Sequence, residues 1–179
     1  LYEDLCARTD IPDPCIRDTI ERDIDRTFPH HIMFSDYTPD GRRVARLAGQ
    51  QMLRNVLIAY SLYDEEVGYC QGMGFMTGLF LMYLPEDDAF WLLLYIMERE
   101  RDGLRGLYLP GMSLASTWFE TLRQLINEFY PRVGSHLQAN GFHPTMFSTQ
   151  WFFTIFSYSF PFDFVTRIWD IFLFEGLKT

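Results

Sequence analysis

The sequence predicts an all-α, multi-helix bundle, and three observations carry that prediction. Apolar residues recur at every third or fourth position along almost the whole chain. No segment sustains the apolar/polar alternation of a half-buried strand. Prolines and glycines fall where helices would begin and end.

The elements follow in order. After Pro12 and Pro14, Ile16, Ile20 and Ile24 mark an amphipathic helix that Phe28-Pro29 ends. A polar loop with Asp36, Pro39, Asp40 and Gly41 comes next. Val44, Leu47, Leu53, Val56, Leu57 and Tyr60 mark a second helix. The stretch Asp64 to Gly68 breaks the pattern, and a buried helix resumes from Met73 to Leu84, with glycines at 72, 74 and 78. Pro85 followed by Glu86, Asp87 and Asp88 reads as a helix start, with acids where the macrodipole favours them. That helix continues through "AFWLLLYIME". A polar loop, "RERDGLRGLYLPGM", precedes a helix from about Ser113, whose apolar side carries Leu122, Leu125, Ile126 and Phe129. Pro144 and Pro161 then open two further helical segments, and Gly176 is the expected stop. No repeat period of about 20 to 50 residues is present, so these elements are expected to form one layered bundle.

Composition narrows the function. A chain of 179 residues with 48% apolar and 17% aromatic residues has enough to bury a core. Against 24 Asp and Glu stand 15 Lys and Arg, a net charge of −9. That balance opposes a nucleic-acid partner, whose affinity comes from cationic contacts to phosphates. The longest apolar run, Phe75 to Leu84, falls short of the roughly 20 residues that cross a bilayer, so no direct membrane insertion is expected. Cys6, Cys15 and Cys70 form no CxxC pair and suggest neither a disulfide framework nor a zinc module. Adjacent His30 and His31 cannot both face one ion from a regular helix. The expectation is a cytoplasmic chain without a cofactor of its own.

Two stretches carry chemistry. On the first helix, Asp23 falls beside the isoleucine stripe and Arg26 lies one step further round that flank. A carboxylate at the rim of a core can hold an arginine three residues on. The simpler reading of such a pair is a surface contact worth a few tenths of a kcal/mol. Arg22, on the opposite flank, reads as a solvated charge.

In "GYCQGM", residues 68 to 73, Gly68 and Gly72 permit a close turn. Gln71 there could orient a water through its carbonyl and donate to a phosphate through its amide. Cys70 could be acidified near a helix N-terminus. Neighbours on an ordered backbone usually diverge, however, so Cys70 reads more simply as a small packed side chain. Tyr69 either covers the site or packs. The aromatic residues Trp151, Phe152, Phe153, Phe156, Phe160, Phe162, Phe164, Trp169, Phe172 and Phe174 read as core, and Arg167 and Asp170 as a structural pair. No GxxxxGK[ST] element is present, so the chain does not read as a P-loop hydrolase.

Together, "IERDIDRTFP" at 20 to 29 and "GYCQGM" at 68 to 73 resemble the TBC domain, the family of GTPase-activating proteins for Rab GTPases. Its motifs IxxDxxR and YxQ are matched by Ile20, Asp23 and Arg26 and by Tyr69 and Gln71. "AYSLYDEEVGYCQGM", an "LP" before an acidic helix start, and "STQWFFTIFSYSFPFDFVTRIWDIFLFEG" resemble the family in the same order. The resemblance covers essentially all of residues 1–179. It implies one TBC domain that lacks an opening segment and its last helices.

The resemblance also implies a dual-finger mechanism on a GTP-bound Rab. Arg26 would neutralise charge on the phosphates and Gln71 would position the attacking water. Asp23, Tyr69 and Gly72 would support them. GTP and Mg²⁺ would be carried by the Rab, and any recruitment to endomembranes would be peripheral, through that partner. The alternative class is a helical module that binds a Rab or another protein without catalysis. A thiol hydrolase using Cys70 is a third reading.

Overall fold

A computed structural model describes residues 1–8, 13–35, 48–99 and 103–176. The expected loop residues Asp36, Pro39, Asp40 and Gly41, and also Pro12, Val44 and Leu47, lie outside them. Every regular element among the described residues is an α-helix. None of those helices is long and apolar enough to cross a membrane.

The chain is made of two compact units, Leu1–Gly103 and Leu104–Thr179. The boundary follows the run Glu98 to Gly103, which holds no apolar side chain.

The first unit contains α1 (Tyr2–Ala7), α2 (Pro14–Arg26), α3 (Ala48–Tyr63), α4 (Met73–Leu81) and α5 (Glu86–Glu98). The α2 helix starts where Pro14 supplies a preset φ and Asp13 accepts from the Cys15 amide at 2.8 Å. It buries Ile20, Asp23 and Ile24, and it ends at Thr27, whose extended backbone turns the chain away immediately after Arg26. The α3 helix is central and packs against α1, α2, α4 and α5. Leu53, Val56, Leu57 and Tyr60 are buried on it as expected. Every residue of α4 is buried, which explains why its apolar pattern runs all the way round. It ends at Leu81 rather than Leu84, because residues 82 to 84 form turns.

The second unit contains α6 (Arg105–Tyr108), α7 (Ser113–Phe129), α8 (Pro131–Ala139), α9 (Thr145–Phe153) and α10 (Phe162–Glu175). The short α6 lies inside the stretch expected to be loop, and α8 is a helix that periodicity did not single out. Phe153, Trp169 and Phe172 are buried, but Phe162, Phe164 and Phe174 are exposed. The aromatics of α10 point to more than one side of a 3.6-residue helix, so one core cannot take them all. Likewise Leu125 and Phe129 on α7 are exposed, whereas Leu122 and Ile126 are half-buried. Beyond Phe153 the chain leaves the helix through left-handed Ile155 and Phe156, so the segment opened by Pro144 is shorter than its apolar pattern. Arg167 and Asp170 form an exposed pair at 3.7 Å.

Candidate functional site at Arg26 and Gln71

The site lies within the first unit, where the end of α2 meets the turn that leads into α4. Three donors converge on the carboxylate of Asp23, which is only 3% exposed. Arg26 Nη2 lies 2.5 Å from Oδ1. The Tyr69 hydroxyl donates to Oδ2 at 2.6 Å, and the Gly72 amide donates to the same oxygen at 3.3 Å. A buried carboxylate is costly unless paired and hydrogen-bonded, and these contacts satisfy it. One side chain thus fixes both the guanidinium and the turn.

Arg26 is the last residue of α2, so its charge sits at the negative end of the helix dipole. Its side chain remains 42% exposed while Asp23 is held inside. The guanidinium is therefore anchored at one edge and open at another. The pair that looked like an ordinary surface contact is instead half-buried.

Gln71 is exposed and reaches the same spot. With its amide oriented by the surrounding hydrogen bonds, its carbonyl oxygen accepts from Arg26 Nη1 at 2.9 Å and from Nη2 at 2.7 Å. The turn that places it uses two glycines in the left-handed region, Gly68 at φ +59° and Gly72 at φ +109°. Asp64 starts that turn by accepting from the Gly68 amide through its carbonyl at 2.7 Å. The backbone amide of Gly72, just ahead of α4, is directed at Asp23.

Burial, and then the charge and hydrogen bond of Asp23, hold the Tyr69 hydroxyl well above the usual phenol pKa. It stays protonated and acts as a donor at neutral pH. Cys70 lies beside the site but donates its backbone amide to Met73 Sδ at 3.4 Å. Burial and the nearby Asp23 charge push its thiol up, which suppresses the thiolate a nucleophile needs. Arg22 donates to Asp18 O and to Thr19 Oγ1 on its own helix, away from this cluster. Among the described residues, no three His, Cys, Asp or Glu side chains gather to hold a metal.

Three supports were not evident in the sequence. Thr27 is fully buried and donates to the Asp23 carbonyl at 2.7 Å. Phe28, in the left-handed region at φ 45°, packs edge-on against Phe75. Gly78 makes room for both, since a methyl group there would lie 2.9 Å from Thr27 Cγ2 and 3.2 Å from Phe28 Cδ2. The glycines of α4 were the available signal, because a small residue inside a buried helix marks close approach.

The family model described as the Rab-GTPase-TBC domain matches residues 7–179. The chain belongs to this family. Among curated relatives, it is 40% identical over 177 residues to the human ecotropic viral integration site 5 protein homolog. It is 42% identical over 177 residues to mouse Carabin, and 38% identical over 177 residues to the Rab GTPase-activating protein eat-17 of Caenorhabditis elegans. Each alignment covers 99% of this chain but only 20%, 37% and 18% of the respective relative.

Among solved structures, this TBC chain is similar to the Chlamydomonas flagellar RabGAP TBC domain, with a TM-score of 0.76 at 33% identity. That match covers 99% of this chain and 54% of the other. The Ypt/Rab-GAP domain of Gyp1p shares the fold, with a TM-score of 0.75 at 21% identity over 96% of this chain and 59% of that one. Membership of an all-α family agrees with the fold class expected from the sequence.

Proposed function

We propose that this TBC chain accelerates GTP hydrolysis by a Rab GTPase, supplying Arg26 and Gln71 in trans. The observation that carries the reading is the shared anchor. Arg26 and Gln71 come from segments far apart in sequence, yet buried Asp23 binds the guanidinium together with Tyr69 and Gly72 on either side of Gln71.

Phosphoryl transfer asks little covalent chemistry of a protein and much positioning of charge. Arg26 is a planar, permanently charged fork with an exposed edge, suited to the equatorial oxygens of a transferring phosphoryl group. Gln71 has a carbonyl that can accept from the attacking water and an amide that can donate to the partner. On docking, the Arg26–Gln71 contact is exchanged for contacts with phosphate and water, while Asp23 retains both segments. The GTP and Mg²⁺ belong to the Rab, which performs the hydrolysis. The TBC chain works in the cytoplasm and meets endomembranes through that partner.

The test is phosphate release from a panel of GTP-loaded Rabs with wild type, Arg26→Ala and Gln71→Ala, each checked for helicity. Acceleration of at least one Rab that both variants lose supports the reading. Unchanged hydrolysis across the panel, together with equal binding to GTP- and GDP-loaded Rabs, replaces it with a non-catalytic binding module.

A further inference from the structure

Two of the buried polar side chains on the central helix α3 lie outside the site described above and contact the segment around α2. Gln50 and Arg54 are one turn apart on one face, 2% and 6% exposed, within a helix whose other buried residues are mainly apolar. Both reach the segment that presents Arg26. Arg54 grips Glu21 on α2 with a two-pronged contact, Nε to Oε1 at 2.6 Å and Nη2 to Oε2 at 2.7 Å. Gln50 Nε2 donates to the Phe34 carbonyl at 3.0 Å, beyond the end of α2. The two anchors bracket Arg26, five residues after Glu21 and eight before Phe34.

We infer that Arg54, assisted by Gln50, is a positioning residue that sets the aim of Arg26; for its consequence in catalysis, this rests on the proposed function. Apolar packing is not directional and allows a helix to roll or tilt at small cost, whereas a guanidinium fork on a carboxylate fixes both rotation and translation. The fork is held in its turn: Arg54 Nη1 donates to Gln51 Oε1 at 3.0 Å, and Gln51 donates to Asn55 Oδ1 at 2.8 Å. Asn55 donates to Glu86 Oε1 on α5 at 2.9 Å. The finger helix is thereby referenced to α3 and α5 by a continuous polar chain. A tilt of about 10° over the roughly 7.5 Å of helix axis between Glu21 and Arg26 moves the guanidinium by about 1.3 Å. Misplacement on that scale costs on the order of 10²-fold in rate.

Two readouts test this, using wild type, Arg54→Met, Arg54→Lys and Glu21→Gln. The first needs no partner: the guanidinium NMR signals of Arg26, which slow rotation keeps distinct while Asp23 and Gln71 hold them. The second is kcat and KM for a GTP-loaded Rab. Arg54→Met removes the fork and leaves the largely buried Glu21 carboxylate without Arg54, a change that lowers stability, so both readouts are taken where the variant is verified as folded. The expected result in the folded variant is Arg26 signals averaged together and kcat lowered about 10- to 100-fold with KM within about threefold.

Folded Arg54→Met with wild-type Arg26 signals, or with kcat unchanged, overturns the inference. If that variant does not fold, Arg54→Lys and Glu21→Gln decide it by the same criteria. If the wild type stimulates no Rab, the NMR readout still decides whether Arg54 positions Arg26, and only the functional reading fails.

Discussion

The Tyr69 hydroxyl donates to Asp23 Oδ2 at 2.6 Å, tying the turn that carries Gln71 to the helix that ends in Arg26. The bond spans 46 residues of sequence and reaches a carboxylate with almost no exposure to water. It links the two segments together with the Gly72 amide, which donates to the same oxygen.

Tyr69→Phe keeps the ring and removes only that donor. Hydrogen bonds to charged groups contribute about 1.5 to 3 kcal/mol, and a loss in that range is expected by urea denaturation. Stimulation of the Rab should fall as well, because the Gln71 turn loses its tie. A variant as stable and as active as wild type would show that the bond does not organise the site.

The stability supplied by Tyr69 has a defined pH window. Its pKa is raised in the folded chain, first by burial and then by Asp23, so the folded state binds the proton more tightly than the unfolded state. The contribution is fully present below the unfolded value of about 10 and is lost as pH rises through the folded value. The stability difference between wild type and Tyr69→Phe should be constant from about pH 6 to about 9 and shrink above about pH 10. A difference that shrank already between about pH 6 and about 9 would contradict this assignment.

Arg26→Lys preserves the charge and removes the fork. Lysine cannot hold Asp23 and Gln71 together while presenting further donors in one planar fork. Loss of most of the roughly 10³- to 10⁵-fold acceleration that an arginine finger provides is expected, with helicity by circular dichroism unchanged. Near-normal phosphate release would remove Arg26 from its proposed role.

Gly78→Ala places a methyl group against Thr27 and Phe28. Overpacking of this kind costs about 1 to 3 kcal/mol, measurable as a lower denaturation midpoint. Because Thr27 follows Arg26 directly, stimulation should fall even under conditions where the variant is fully folded.

Cys70→Ser should retain stimulation, and thiol-blocking reagents should leave the wild type active once its fold is verified. Burial and the Asp23 charge raise the thiol pKa, which disfavours the thiolate, and Gln71 is the side chain of this turn that reaches Arg26. Loss of activity in the serine variant would revive the thiol reading.

The site was legible in part. The IxxDxxR and YxQ spacings marked Asp23, Arg26, Tyr69 and Gln71 as one set through resemblance. Periodicity alone read Asp23–Arg26 as a surface pair, because helical spacing reports which face a residue occupies and not how deep that face lies. The Glu21–Arg54 contact was invisible for a related reason. It joins residues 33 apart, and no local pattern distinguishes an arginine that reaches a neighbouring helix from one that reaches solvent.

By itself, the sequence determined seven of the ten helices among the described residues, α2 to α5, α7, α9 and α10, and several of their ends. Those follow from the 3.6-residue repeat, from proline at first turns and from glycine at stops, all of which act between near neighbours. Tertiary structure decided that Asp23 would be buried, that Arg26 and Gln71 would meet on it, and that the chain would divide at Gly103. It also selected which aromatics of α10 face the core. Such outcomes depend on contacts between distant segments, where packing and desolvation set the energies and local spacing carries no record of the partner.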